Sequence, residues 1–239
     1  MIIFLASSIR QMKKYNRMKI ENEITNFLTD LANNNNRDWF AKNKERYNVA
    51  LAKFSDFVDS LINSISVFDN SVQNLQAKDT IFRIYKDVRF SKDKSPYKNH
   101  FGAYIANGGR KSNKAGYYIH IEPSGQSFLG GGIHCPQPKE LKAIRQEIVY
   151  NTDKYKNIIF NSEFNREFGN QMGDKLKSAP RGFDKDFKDL DLIKYKEYTF
   201  GKLISNNEIM DDKFLEKAVA TFKILKPYNT FLNDALFEL

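Results

Sequence analysis

The 239-residue sequence predicts one α+β domain, an antiparallel β-meander over about residues 81–134 with helices packed on one face. Three observations lead there. Apolar residues recur at helical spacing from Ile20 to Ile65 and again from Leu141 to Leu225. Between those stretches the period drops to two. No linker, repeat or change of composition divides the chain, so residues 20–239 read as one domain behind a basic tail, residues 1–19.

The elements follow in order. Ile20, Ile24, Phe27, Leu28 and Leu31 form the stripe of a first helix, which the asparagine run Asn33 to Asn36 stops. Asn36 is placed to cap a second helix, whose stripe runs Trp39, Phe40, Tyr47, Leu51, Phe54, Val58, Leu61, Ile62 and Ile65, with Trp39 read as core. Residues 70–79, "NSVQNLQAKD", read as loop or weak edge structure. "IFRIYKDVRF" then alternates Phe82, Ile84, Val88 and Phe90 against Arg83, Tyr85, Asp87 and Arg89, the pattern of a first strand. "HFGAYIA", "YYIHIEP" and "SFLGGGIH" supply three more, with the turn-rich "NGGRKSNKAG" between the first two of these. Helices resume after Pro136 and Pro138, with Gly169 as a helix cap, and a short strand is expected within 192–200. A last helix carries Phe214 to Leu225, and Pro227 is expected to open a final one.

Composition narrows the class. Twenty Phe and twelve Tyr can fill a sizeable core. No apolar run is long enough to span a membrane, and the basic residues of the first segment follow its apolar stretch, the wrong order for a secretory signal. A single cysteine excludes an internal disulfide framework and suits a cytoplasmic setting. Residues 1–20 carry five basic and no acidic groups, and residues 83–100 carry six basic and two acidic; together they account for the whole net charge of +9. Charge held in a tail and one segment favours a compact anion site over a long nucleic-acid groove.

Sorting each strand by alternation places one polar face on the sheet. It receives Arg83, Tyr85, Asp87 and Arg89, then His100, Gly102 and Tyr104, then Tyr118, His120 and Glu122, then Phe128, Gly130, Gly132 and His134. All three histidines of the chain fall on it, and the glycines are spaced as they are where a ligand approaches backbone. The loop "SKDKSPYKNH" is longer than a hairpin needs and carries Lys94 and Lys98. Arg83, Arg89, Lys94 and Lys98 are therefore expected to clamp a phosphate or carboxylate, with Tyr85, Tyr97 and Tyr118 as walls and His100 beside them. His120 is the expected general acid/base, with Asp87 and Glu122 orienting it. A polar sheet face turned to water has the same composition.

Other chemistries fit less well. His100, His120 and His134 with Glu122 or Asp87 would suit zinc or iron, but no HxH or HxxxH pair fixes them and arginines oppose a cation, so no metal is assigned. Cys135 follows His134, and neighbours on a strand point to opposite faces, so the pair is set aside as a nucleophile and base. No Walker or Rossmann pattern is present, and no cofactor is assigned.

"NNNRDWFAKNKERY", "FRIYKDVRFSKDKSPYKNHFGAYI", "GYYIHIEP", "FLGGGIHCPQP" and "LKSAPRGF" together resemble a bacterial family of uncharacterised conserved proteins, the domain of unknown function 2461. The resemblance covers roughly residues 20–200. The family's hallmark stretch corresponds to Arg83, Asp87, Arg89, Phe90, Asp93, Lys94, Pro96, Tyr97, Lys98 and His100, with Lys86 and Asn99 as departures from it. It implies a shared fold and no established activity. The basic tail lies outside it, which makes Met18 an alternative start.

Three functions are thus expected in turn: a binder of a small anionic ligand with acid/base capability, a nucleic-acid-binding module, or a protein-interaction domain. Oligomeric state is not legible.

Overall fold

The computed structural model describes residues 18–89 and 91–237. The expected tail therefore lies outside the described residues except for Met18 and Lys19, and so does Phe90. Met18 and Lys19 are docked: the Met18 carbonyl accepts the Leu215 amide at 2.9 Å, and Lys19 pairs with Asp212 at 3.0 Å.

The chain opens with helix α1 (Asn22–Asn33), whose Ile24, Phe27, Leu28 and Leu31 are buried as their spacing demands. Asn36 caps α2 (Arg37–Lys42) by accepting the Trp39 amide. The single second helix expected from the stripe is two: α3 (Lys44–Ser66) restarts after Asn43. The Asn43 side chain bonds back to the Trp39 carbonyl at 2.9 Å, competing with the helical ladder at that one position. Trp39 is partly buried against the core, as read. The segment expected to be loop holds a 3₁₀ turn (Asn70–Val72) and the short α4 (Ala77–Thr80).

The sheet has four antiparallel strands in the order β1-β2-β3-β4: β1 (Phe101–Ile105), β2 (Gly116–Ile121), β3 (Phe128–Ile133) and β4 (Tyr198–Leu203). Three of the expected strands are present, and the first is not. Residues 81–89 touch the sheet at one bridge, Ile81 to Ala103, and pair once with their own loop, Tyr85 to Tyr97. Their alternation is real, since Ile84 is buried while Arg83, Tyr85, Asp87 and Arg89 are exposed. It marks an extended arm lying on the core, and the return segment cannot ladder with it because Pro96 has no N–H and the Asp93 side chain holds the Ser95 amide. The fourth strand is instead β4, which is shifted toward higher numbers than the expected 192–200. It reaches β3 only after α5 (Pro138–Tyr150), α6 (Thr152–Ile159), α7 (Ser162–Phe168) and α8 (Leu190–Ile193). Gly169 caps α7 at φ 62°, as expected.

After α9 (Asn206–Ile209), helix α10 (Phe214–Asp234) runs through Pro227 without a break, correcting the expected new start. Leu225, Tyr228, Phe231 and Leu232 are all buried around it. Continuous packing on both sides outweighs the lost hydrogen bond. Alternate residues of β1, β2 and β3 face the helices, with Phe101 stacked 5.4 Å from Phe54. A side chain at Gly131 would meet Leu225 and the Gly116 carbonyl, so that glycine lets α10 approach β3. Among the described residues no helix is long and apolar enough to cross a membrane.

Candidate functional site

The other face of the sheet is open, and antiparallel register assembles it. Gly102 lies opposite His120, Tyr104 opposite Tyr118, Tyr118 opposite Gly130, and His120 opposite Phe128. One step beyond the Phe101–Ile121 pair brings His100 beside Glu122. A cleft of about 760 Å³ covers this face, with His100, Tyr118, His120 and Phe128 on its floor and His134, Cys135 and Glu197 at one end.

Two floor residues, Tyr118 and His120, form a chain of hydrogen bonds with Glu122, which does not itself line the cleft. His120 Nε2 is 2.7 Å from Glu122 Oε2, and its Nδ1 is 3.1 Å from the Tyr118 hydroxyl. A carboxylate only accepts, so Nε2–H donates to Glu122 and Nδ1 accepts from Tyr118 O–H. The imidazole is stacked between His100, 4.1 Å away, and Phe128, 4.7 Å away. Burial lowers the basicity of His120, with Glu122 opposing it. Burial, aided by His120, Lys98 and Lys86, holds His100 at about 3. Burial pushes the Tyr118 phenol up to about 12, with the Glu122 charge adding to it. Both rings are thus neutral donors and acceptors, and Tyr118 keeps its proton. Gly102 makes the arrangement possible, because a Cβ there would lie 2.6 Å from the Tyr118 oxygen. The glycines therefore make room for packing inside the protein.

The expected clamp divides. Lys98 lines the cleft, its ammonium 5.4 Å from the Phe82 ring centre. Burial, with Arg83 adding to it, lowers the Lys98 ammonium below its ordinary value. Arg83 lines a second hollow of about 610 Å³, separated from the cleft by a ridge of Phe82, Lys98, Arg110 and Lys111 that borders both. Arg89 is held by Asp87 in a fork of 2.7 and 3.0 Å, Lys86 by Asp93 at 2.5 Å, and Lys94 by the Val88 carbonyl at 3.0 Å. The Arg89 fork lowers Asp87, and Lys86 with Ser95 lowers Asp93. Tyr97 is buried against Phe40, rings 4.0 Å apart, and Tyr85 tilts against both. Asp87, Tyr85, Arg89, Lys94 and Tyr97 are not among the residues lining the cleft.

Sequence reasoning missed Arg110 and Lys111, which sit in a 3₁₀ turn between β1 and β2, inside the stretch read as a mere turn. Arg110 is fixed there by donating to the Lys78 carbonyl at 2.7 Å. It also missed Asn35, whose side-chain amide brackets Tyr97 through both its N–H and its carbonyl. The dismissal of Cys135 needs correcting. β3 ends at Ile133 and Cys135 turns back at φ 50°, so neighbours no longer face opposite ways. Its sulfur lies 3.3 Å from His134 Nε2, while His134 Nδ1 is bonded to Glu197.

The histidines fall into two groups. Ligand atoms of His100, His120 and Glu122 lie within 4.8 Å of one another, as do those of His134, Cys135 and Glu197, and either set has donors suited to zinc or iron.

An α+β domain with a histidine-floored cleft on the open face of its sheet is the class the fold and site define. The sequence pattern of the family described as Conserved hypothetical protein (DUF2461) matches residues 23–231, and the chain belongs to that family. No curated protein and no solved structure matches the chain.

Proposed function

We propose that the cleft binds a small organic molecule bearing a phosphate or carboxylate, and that His120 moves a proton to or from it. One observation carries this reading: Tyr118 and His120, hydrogen-bonded to each other and backed by Glu122, lie on the floor of a cleft bordered by Lys98, Arg110 and Lys111. The basic ridge supplies charge for the anion, and Phe82 and Phe128 supply apolar walls. His120, oriented by Glu122, accepts a proton at Nδ1 from a substrate group that displaces the Tyr118 hydroxyl. Tyr118 is the alternative proton donor when charge develops on substrate oxygen. The same reading sets the protein in the cytoplasm, where a lone exposed thiol stays reduced.

Isothermal calorimetry with inorganic phosphate, a sugar phosphate and a dicarboxylate, each in two buffers of different ionisation enthalpy, tests it. An anion seated over two neutral histidines raises their proton affinity, so binding is expected to take up protons, and His120→Ala to abolish most of that uptake. Binding without proton uptake would remove the acid/base role. No binding by any of the three would remove the anion site.

A further inference from the structure

We infer that Cys135 is a second chemical centre of the same cleft: a nucleophile, with His134 as its base and Glu197 as the residue that orients His134, acting on an activated acyl compound such as an ester or thioester. The three groups form one line. The sulfur is 3.3 Å from His134 Nε2, and Glu197 accepts from His134 Nδ1–H, which leaves the Nε2 lone pair aimed at the thiol. The backbone serves this arrangement. Cys135 is in the left-handed region at φ 50°, between the end of β3 and the start of α5, so its side chain projects from a sharp strand-to-helix turn. Glu197 is only a fifth exposed, and its side chain packs onto Gly173, where φ is 96° and a Cβ would come within 2.6 Å of it. All three groups line the cleft whose floor carries His120.

The step balances without any redox partner. The Cys135 proton passes to His134 Nε2 as the sulfur bonds to the acyl carbon. The carbonyl electrons move to oxygen and return as the bond to the leaving group breaks, and that group takes the proton from His134, or leaves as an anion while His134 releases its proton to solvent. Water, losing a proton to His134, then attacks the thioester, the carbon–sulfur bond breaks, and the proton returns to the thiol. The products are the acid and the released alcohol or thiol, and the enzyme is regenerated free.

The inference rests on the cleft being the ligand site, and a neutral probe keeps the two readings apart. Cys135 is the single cysteine in the chain, so an acetyl group lost in Cys135→Ala is assigned to its sulfur. The full-length protein is incubated with p-nitrophenyl acetate near neutral pH, with nitrophenolate release and intact mass both recorded. The wild type is expected to gain one acetyl group at least about tenfold faster than His134→Ala or the guanidinium-unfolded chain, as positioned general bases contribute that much or more. Cys135→Ala should lose the adduct, and Glu197→Gln should fall between wild type and His134→Ala, with Glu197→Asp recovering part of the rate. Equal rates for wild type, His134→Ala and unfolded chain would overturn the inference, whatever the calorimetry shows for anions. Acylation with no anion binding would uphold it and remove the anion site alone.

Discussion

The loop of residues 83–98 and the cleft over the sheet adjoin one another and use charge in opposite ways. In the loop, cations and acids were placed close enough in sequence to satisfy each other: Arg89 forks onto Asp87 and Lys86 reaches Asp93. In the cleft, Lys98 has come out of the same segment to face an aromatic ring, and it meets Arg110 and Lys111 from another turn. Below them two histidines are kept neutral by burial. A dense run of charge in a sequence shows where charges are; only tertiary placement shows which of them a ligand can use. On the proposed function, the loop is a surface feature and the cleft the working part.

The largest effect expected of breaking the cleft is His120→Ala. The ring is 8% exposed, stacked on both sides, and its loss strips Glu122 and Tyr118 of their partner, so a destabilisation of about 2–3 kcal/mol is expected in urea unfolding. Gly102→Ala comes next. Its methyl would lie against the Tyr118 oxygen at 2.6 Å, and overpacking of that kind costs about 1–2 kcal/mol while pushing Tyr118 off His120. A crystal structure of the variant should show the Tyr118–His120 bond lengthened.

The pH dependence of stability sharpens the same point. In the unfolded chain both histidines take up protons near 6.5, whereas His100 resists until about 3 and His120 also titrates below its ordinary value. Below 6.5 the unfolded state therefore binds more protons. This part of the stability is complete above pH 6.5 and is lost as the pH falls toward about 3, at most about 1.4 kcal/mol per pH unit for each ring. His100→Asn should flatten that decline in acid denaturation curves. The smallest effect is expected in the loop: Arg89→Ala removes an exposed pair and should leave the unfolding midpoint where it was.

Much of this was legible in the sequence. Period-two alternation put His100, Tyr118, His120 and Phe128 on one face, and the register confirms the placement. Helical spacing located α1 and the interior of α10. What failed did so for physical reasons. The alternation of residues 81–89 reports one buried side, which an extended arm shares with a strand, and nothing local says whether a ladder partner exists. Pro227 signals a helix start until the packing around Tyr228 and Phe231 overrides it. Arg110 and Lys111 joined the site through the β1–β2 turn, a tertiary event with no local pattern. Cys135 was set aside on a rule for strands that stops applying two residues after β3 ends.

The most direct test of the account sets the two regions against each other in a thermal-shift screen. Wild type, Lys98→Ala and Arg89→Ala would each be tested with phosphate, sugar phosphates, dicarboxylates and short oligonucleotides. A ligand present at a hundred times its dissociation constant adds about 2.7 kcal/mol to apparent stability. The account predicts that the compound stabilising wild type still stabilises Arg89→Ala and no longer stabilises Lys98→Ala. A ligand whose effect survives Lys98→Ala and disappears in Arg89→Ala would contradict it and return the site to the loop.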